Sequence, residues 1–65
     1  MTDRERATSL MVQATFLLYP ERGQAQVTPG EWLTLCDDLL ERKESLGQLG
    51  NDLARRRAVI EEKAA

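Results

Sequence analysis

Residues 27–60, VTPGEWLTLCDDLLERKESLGQLGNDLARRRAVI, decide the fold, because they combine a clear helix start with a long apolar seam. Thr28 is placed to cap a helix, and Pro29 occupies the first helical position, where its missing N–H costs nothing. Glu31 stands three residues after Thr28 and completes a capping box. We therefore expect a helix that begins at Pro29.

The apolar seam that follows this start keeps a heptad register. Its positions alternate in steps of three and four residues: Trp32, Leu35, Leu39, Arg42, Leu46, Leu49, Leu53, Arg56 and Ile60. This spacing is typical of a helix that packs lengthwise against another helix. Because the register continues past Gly47 and Gly50, we expect one long helix over residues 29–63.

The two glycines of the seam region leave an alternative open. A break at Gly47–Gly50, with Asn51 or Asp52 as the cap of a new helix, would give three helices instead of two. A turn would free the two halves to have unrelated registers, however, and the leucines show one register throughout. We favour the long helix.

The beginning of the chain predicts a shorter helix over residues 3–19. Thr2 and Glu5 have the spacing of a capping box, and Pro20 cannot continue a helix. The second half of this helix is apolar nearly all round, since Val12, Phe16 and Tyr19 add a second stripe to the main one. A loop over residues 20–28 would join the two helices.

These elements predict an all-α, single-domain helical hairpin over residues 1–65. A short first helix of roughly 25 Å cannot cover a second helix of roughly 50 Å. Half of the seam would stay exposed, so we expect a homodimer with coiled-coil-like packing, in a parallel or an antiparallel sense. The expected dimer seam is Trp32, Leu35, Leu39, Leu46, Leu49, Leu53 and Ile60.

Composition argues against several classes of chemistry. The chain has no histidine and one cysteine, Cys36, so the usual general base and the sulfur sites of structural zinc are missing. We expect no catalytic residues, no metal site and no cofactor, and we expect Cys36 to be a buried thiol. Nine basic and eleven acidic residues give a net charge of −2, which does not favour nucleic acid or membrane surfaces. No apolar run has the length of a membrane span, so we expect a cytoplasmic protein.

Six residues are candidates for binding a partner: Phe16, Tyr19, Trp32, Arg55, Arg56 and Arg57. Phe16 and Tyr19 lie off the main apolar stripe of the first helix. They could be buried in the core of a dimer or exposed in a groove that binds a partner. Tryptophan is frequent in binding hot spots, but we favour the other interpretation of Trp32, a hydrophobic staple that packs against Val27. Asp52 and Glu61 are spaced to pair with Arg56 and Arg57, which favours a solvated, ion-paired face for the arginines.

Two functions of different classes fit these features. The first is a protein-binding inhibitor, adaptor or chaperone that uses helical faces. The second is a small DNA-binding regulator with three helices, in which residues 51–63 form the recognition helix and the arginines contact phosphates. The acidic net charge favours protein binding over DNA binding.

The stretch GNDLARRRAV, residues 50–59, together with the plan of short helix, loop and long helix, resembles a family of two-helix anti-activators encoded by temperate phages. The resemblance implies a helical dimer in the host cytoplasm that binds host proteins, including a quorum-sensing transcription factor. The plan is also similar to the helical-hairpin co-chaperones of type III secretion, although their first helix is usually the longer one. Both families imply a hairpin whose function is protein binding.

Overall fold

The predicted all-α class is confirmed. The computed structural model describes residues 2–64, so the two ends of the predicted domain, Met1 and Ala65, lie outside the described residues. The described chain is helical with no strand, and none of its helices is long and apolar enough to cross a membrane. It forms α1 (Asp3–Leu18), α2 (Pro29–Leu40) and α3 (Gln48–Ala64), with short 3-10 turns at Pro20–Arg22 and Lys43–Leu46.

Both predicted helix starts are confirmed. At α1, the Thr2 hydroxyl accepts a hydrogen bond from the Glu5 amide at 3.1 Å, and the Glu5 carboxylate accepts one from the Thr2 amide at 3.2 Å. Thr28 and Glu31 make the same pair of bonds at the start of α2, at 3.2 and 3.3 Å. Each capping box satisfies amides that would otherwise lack a partner, so the signal is local and does not depend on packing.

The predicted long helix is wrong. α2 ends at Leu40, the chain turns through residues 41–47, and α3 begins at Gln48. Gly47 has φ 60° and ψ −134°, a conformation that residues with a Cβ rarely adopt. The three-helix alternative has the right number of helices but the wrong bounds, because the turn begins earlier and residues 51 and 52 lie inside α3.

The seam keeps its heptad register across this turn because the same side chains form the buried surface in a single long helix and in the three-helix bundle. The buried core consists of Ala7, Leu10, Ala14, Trp32, Cys36, Leu39, Leu46, Leu53 and Ile60. Five of these side chains follow one another at seven-residue intervals and come from α2, the turn and α3. A shared register therefore does not distinguish one long helix from two helices that fold back on a third.

The three helices form an up-down-up bundle. α2 runs antiparallel to α1, so Arg42 at the end of α2 meets Asp3 at the start of α1, with 2.9 Å between Nε and Oδ2. α3 runs parallel to α1, and Lys63 near its end donates to the Leu18 carbonyl oxygen at 3.1 Å. A Cβ on Gly50 would lie 2.9 Å from the Lys43 carbonyl oxygen, so the first turn of α3 packs closely on the preceding 3-10 turn.

The expected dimer seam is mostly used inside one chain. Leu49 is partly buried against the core, and Leu35 is the only seam leucine that is about half exposed, at 49%. The other five members are buried: Trp32, Leu39, Leu46, Leu53 and Ile60. A long uncovered helix, which was the reason to expect a dimer, does not occur in this fold. Self-association stays a prediction and requires a different surface.

Candidate protein-binding surface

Trp32 is a core residue and does not lie at the surface. Its side chain is 0% exposed, and its indole Nε1 donates a hydrogen bond of 2.7 Å to the Leu10 carbonyl oxygen in the middle of α1. Val27, its expected staple partner, packs against the same core. Trp32 therefore fixes α2 against α1 and is not available to a partner.

Phe16 and Tyr19 do not form a common groove. The Phe16 ring is partly buried and packs on the loop after α1, where a Cβ on Gly23 would lie 2.8 Å from ring atom Cε1. Tyr19 is 46% exposed, and the Arg22 guanidinium lies 5.4 Å from its ring centroid, a cation–π distance. Of the two aromatic candidates, Tyr19 is the one that a partner can reach.

The three consecutive arginines have different surroundings. Arg57 is held between helices, since it pairs with Asp37 of α2 and with Glu61 one turn further along α3. The hydrogen bond from Arg57 holds the pKa of Asp37 below its ordinary value. Arg55 is exposed and lies 3.6 Å from Asp52, whereas Arg56 makes no ion pair within residues 2–64.

The ion-paired face that the spacing predicted is thus present in part. Glu61 pairs with Arg57, as expected, but Asp52 pairs with Arg55 and not with Arg56. In the DNA-binding hypothesis the arginines contact phosphates. Arg57 is already neutralised by two carboxylates, so the arrangement does not favour that function.

An apolar surface with a basic border lies where α1 packs beside α3. Val59 of α3 is 47% exposed and lines a groove together with Met11 of α1, which is partly buried against the core. Arg55 and Arg56 line the same groove, whose volume is about 340 Å³. We call this surface the basic apolar face and define it by the residues that line the groove: Met11, Asp52, Arg55, Arg56 and Val59.

Two threonines of α1 satisfy their hydroxyl donors within the helix. The Thr8 hydroxyl donates to the Arg4 carbonyl oxygen at 2.9 Å, and the Thr15 hydroxyl donates to the Met11 carbonyl oxygen at 3.2 Å. Thr8 and Thr15 stand four and three residues from Val12, so these three residues share one side of α1, outside the groove that Met11 lines.

The comparisons with known proteins find no match. No family model, no curated protein and no solved structure matches the chain. The case for a function therefore depends on the geometry of the basic apolar face and on the sequence.

Sequence reasoning found only part of this face. The sequence indicates Arg55 and Arg56 as candidate binding residues but does not single out Met11 or Val59. Val59 lies between the seam positions Arg56 and Ile60 and is not a member of the seam. A helical wheel of α3 with its observed bounds groups Asp52, Arg55, Arg56 and Val59 on one side, and this would have been the signal.

The described residues show no cluster that fits a metal. Within residues 2–64, no three cysteine or carboxylate side chains lie close enough together to hold an ion. Cys36 is buried in the core, and burial, with the neighbouring Asp37 charge, raises the pKa of its thiol to about 11. The thiol is therefore protonated near neutral pH, and the thiolate is the reactive form.

Cys36 is expected to resist alkylation in the folded protein. A pKa of about 11 instead of 9.0 lowers the thiolate fraction about 100-fold, and burial blocks access further. Native protein treated with iodoacetamide should gain mass at least about 100-fold more slowly than protein in denaturant. Equal rates in the two conditions would contradict the buried position of Cys36.

Proposed function

We propose that this chain is a non-enzymatic protein-binding protein that holds an acidic, amphipathic helical segment of a larger protein on its basic apolar face. It would act as an inhibitor, anti-activator or adaptor of that protein. The observation that carries the proposal is the face itself, in which the half-exposed Val59 and the Met11 side chain lie beside two arginines.

The chemistry of the face matches that of one helical partner. An amphipathic helix recognises a groove through apolar side chains at three-residue and four-residue spacing, and α1 and α3 leave an open groove between them. Large apolar side chains exposed together mark interaction sites in small proteins. Carboxylates beside the apolar stripe of a partner would be attracted by Arg55 and Arg56, which gives orientation and specificity.

The charges around the groove favour an acidic partner over a basic one. Arg55 and Arg56 are the two cations that line the groove, whereas Lys63 and Arg22 lie near Leu18 and Tyr19, outside it. Asp52 is the only acidic residue that lines the groove, and it pairs with Arg55. The chain as a whole has a charge of −2, so this concentration of cations is local.

The proposal also includes the kind of protein and its location. A phage-type anti-activator and a secretion co-chaperone would both use such a face to bind a protein segment, and both would operate in the cytoplasm. Self-association belongs to the same proposal, but it involves a different surface of the chain.

Peptide binding tests the proposed function. The probe is a labelled amphipathic peptide of about 18 residues that has leucines on one side, flanked by glutamates. The control peptide has the same sequence with every glutamate replaced by lysine. Fluorescence anisotropy should show at least about tenfold tighter binding of the glutamate peptide, with an affinity that falls as salt is added. Equal affinities for the two peptides would overturn the proposal.

A matched pair of variants locates the binding site. Val59→Asp places a carboxylate in the basic apolar face and should weaken binding of the glutamate peptide at least about tenfold. Thr34→Asp adds the same charge at an exposed position of α2 and should leave the affinity unchanged. If labelled duplex DNA binds more tightly than the peptide and Val59→Asp has no effect on the binding of either, the DNA-binding function replaces this one.

A further inference from the structure

The groove between α1 and α2 is a second open surface, separate from the basic apolar face. It has a volume of about 260 Å³ and is lined by Arg6, Ser9, Leu10, Leu35, Asp38 and Leu39. Leu10 and Leu39 belong to the buried core and form its floor. Leu35 is 49% exposed on the α2 wall, although it stands within the heptad pattern. An apolar floor with an exposed leucine at its edge leaves room for another helix surface.

Opposite charges stand on the two walls of this groove. Arg6 is on α1 and Asp38 is on α2, and both line the same groove, so they lie at a similar height in the bundle. Arg6 makes no ion pair within the described part of the chain. Asp38 has one, at 3.5 Å from Arg42, whose shorter bond of 2.9 Å goes to Asp3. Both charges are therefore accessible to an external partner.

One cation and one anion on opposite walls make the groove complementary to itself. In a two-fold symmetric contact every pair occurs twice, so a surface must offer both members of each pair. With the symmetry axis along the groove, α1 of one copy faces α2 of the other. Arg6 of each copy then meets Asp38 of the other, and the two Leu35 side chains approach each other at the axis.

We propose that a second copy of this chain docks in the groove between α1 and α2, as a parallel two-fold dimer with reciprocal Arg6–Asp38 pairs around Leu35. The inference depends on the self-association in the proposed function and is independent of peptide binding. It replaces the leucine seam, which is buried within each chain, with a surface that the fold leaves open.

Charge exchange tests the reciprocal pairs. Arg6→Glu alone places two carboxylates opposite each other at both contacts, and Asp38→Arg alone places two cations there. Each variant should raise the Kd of the dimer at least about tenfold in sedimentation or light scattering over a dilution series. An equal mixture of the two variants should restore the dimer, because each contact then has one charge of each sign.

The mixing experiment distinguishes the proposed parallel dimer from an ion pair within one chain and from an antiparallel dimer. An ion pair within one chain would not be restored by mixing, and an antiparallel dimer would not bring these two residues together. Leu35→Asp should also remove the dimer, whereas Ala58→Asp, an exposed site on α3, should leave it intact. Circular dichroism of each variant shows whether the fold is preserved.

The possible failures are distinguishable. A wild-type chain that stays monomeric at every concentration would overturn both self-association and the groove, without affecting the peptide-binding result. If the wild-type chain is a dimer and neither the charge variants nor Leu35→Asp affects it, self-association is retained but the groove between α1 and α2 is not its interface. Two weakened variants that do not recover on mixing would overturn the parallel arrangement.

Discussion

Replacing Trp32 with alanine is expected to leave the chain mostly unfolded. The side chain is fully buried and is the largest in the core. Its removal leaves a cavity and lowers the free energy of unfolding by about 3–5 kcal/mol. A 65-residue chain has a total free energy of unfolding of about 3–10 kcal/mol. The loss is therefore comparable to the whole stability, and the helical circular dichroism signal should collapse without denaturant.

Trp32→Phe is the matched variant for this prediction. Phenylalanine keeps an aromatic ring in the core but loses the Nε1 hydrogen bond to the Leu10 carbonyl oxygen, which is worth about 1 kcal/mol. The variant should remain folded, with a lower urea midpoint than the wild type. If the alanine variant proved as stable as the phenylalanine variant, Trp32 would not have the central packing position described above.

Leu39→Asp is expected to have the second large effect. Leu39 is 2% exposed, and among the described residues no polar or charged side chain is buried that could pair with a carboxylate there. An unpaired buried charge costs several kcal/mol, in addition to the lost apolar contacts. Urea unfolding should show little or no folded protein at neutral pH. Because burial raises the pKa of the introduced carboxyl, part of the stability should return as the pH is lowered through that pKa.

Leu49→Asp is the control that the fold supplies for this substitution. From the seam alone, a charge at Leu39 and a charge at Leu49 are equally disruptive, because both positions belong to the same register. In the structure Leu49 is only partly buried, in the first turn of α3, so its new carboxylate can reach water. Leu49→Asp should therefore leave a folded chain, and equal damage from both variants would favour the long-helix arrangement.

Local signals and long-range contacts explain which parts of the fold were predictable. The helix starts at Thr2 and Thr28 were predicted because a capping box lies within four consecutive residues. The end of α2 was not, because it depends on the burial of α3 against α1 and on the backbone of Gly47. Within the candidate site, the Arg57–Glu61 pair follows from helical spacing, whereas Asp37 stands 20 residues from Arg57 and only the fold brings them together.

The basic apolar face shows the same limit. Arg55 and Arg56 are visible in the sequence as part of a run of three arginines. Val59 and the arginines belong to a helix whose start the sequence pattern misplaces, so their position beside Met11 of α1 has no basis in that pattern. A surface shared by two helices is predictable only when both the helices and their relative direction are known.

The turn at Gly47 ties the oligomeric state of this sequence to one backbone position. A side chain at residue 47 would strain the turn by about 1–3 kcal/mol, whereas in an uninterrupted helix it would be favoured over glycine by up to about 1 kcal/mol. The seven-residue pattern that runs from Trp32 to Ile60 would also suit that longer helix, which would expose it to a neighbouring chain. We therefore expect substitutions of Gly47 to shift the chain from a self-contained bundle towards an assembled form.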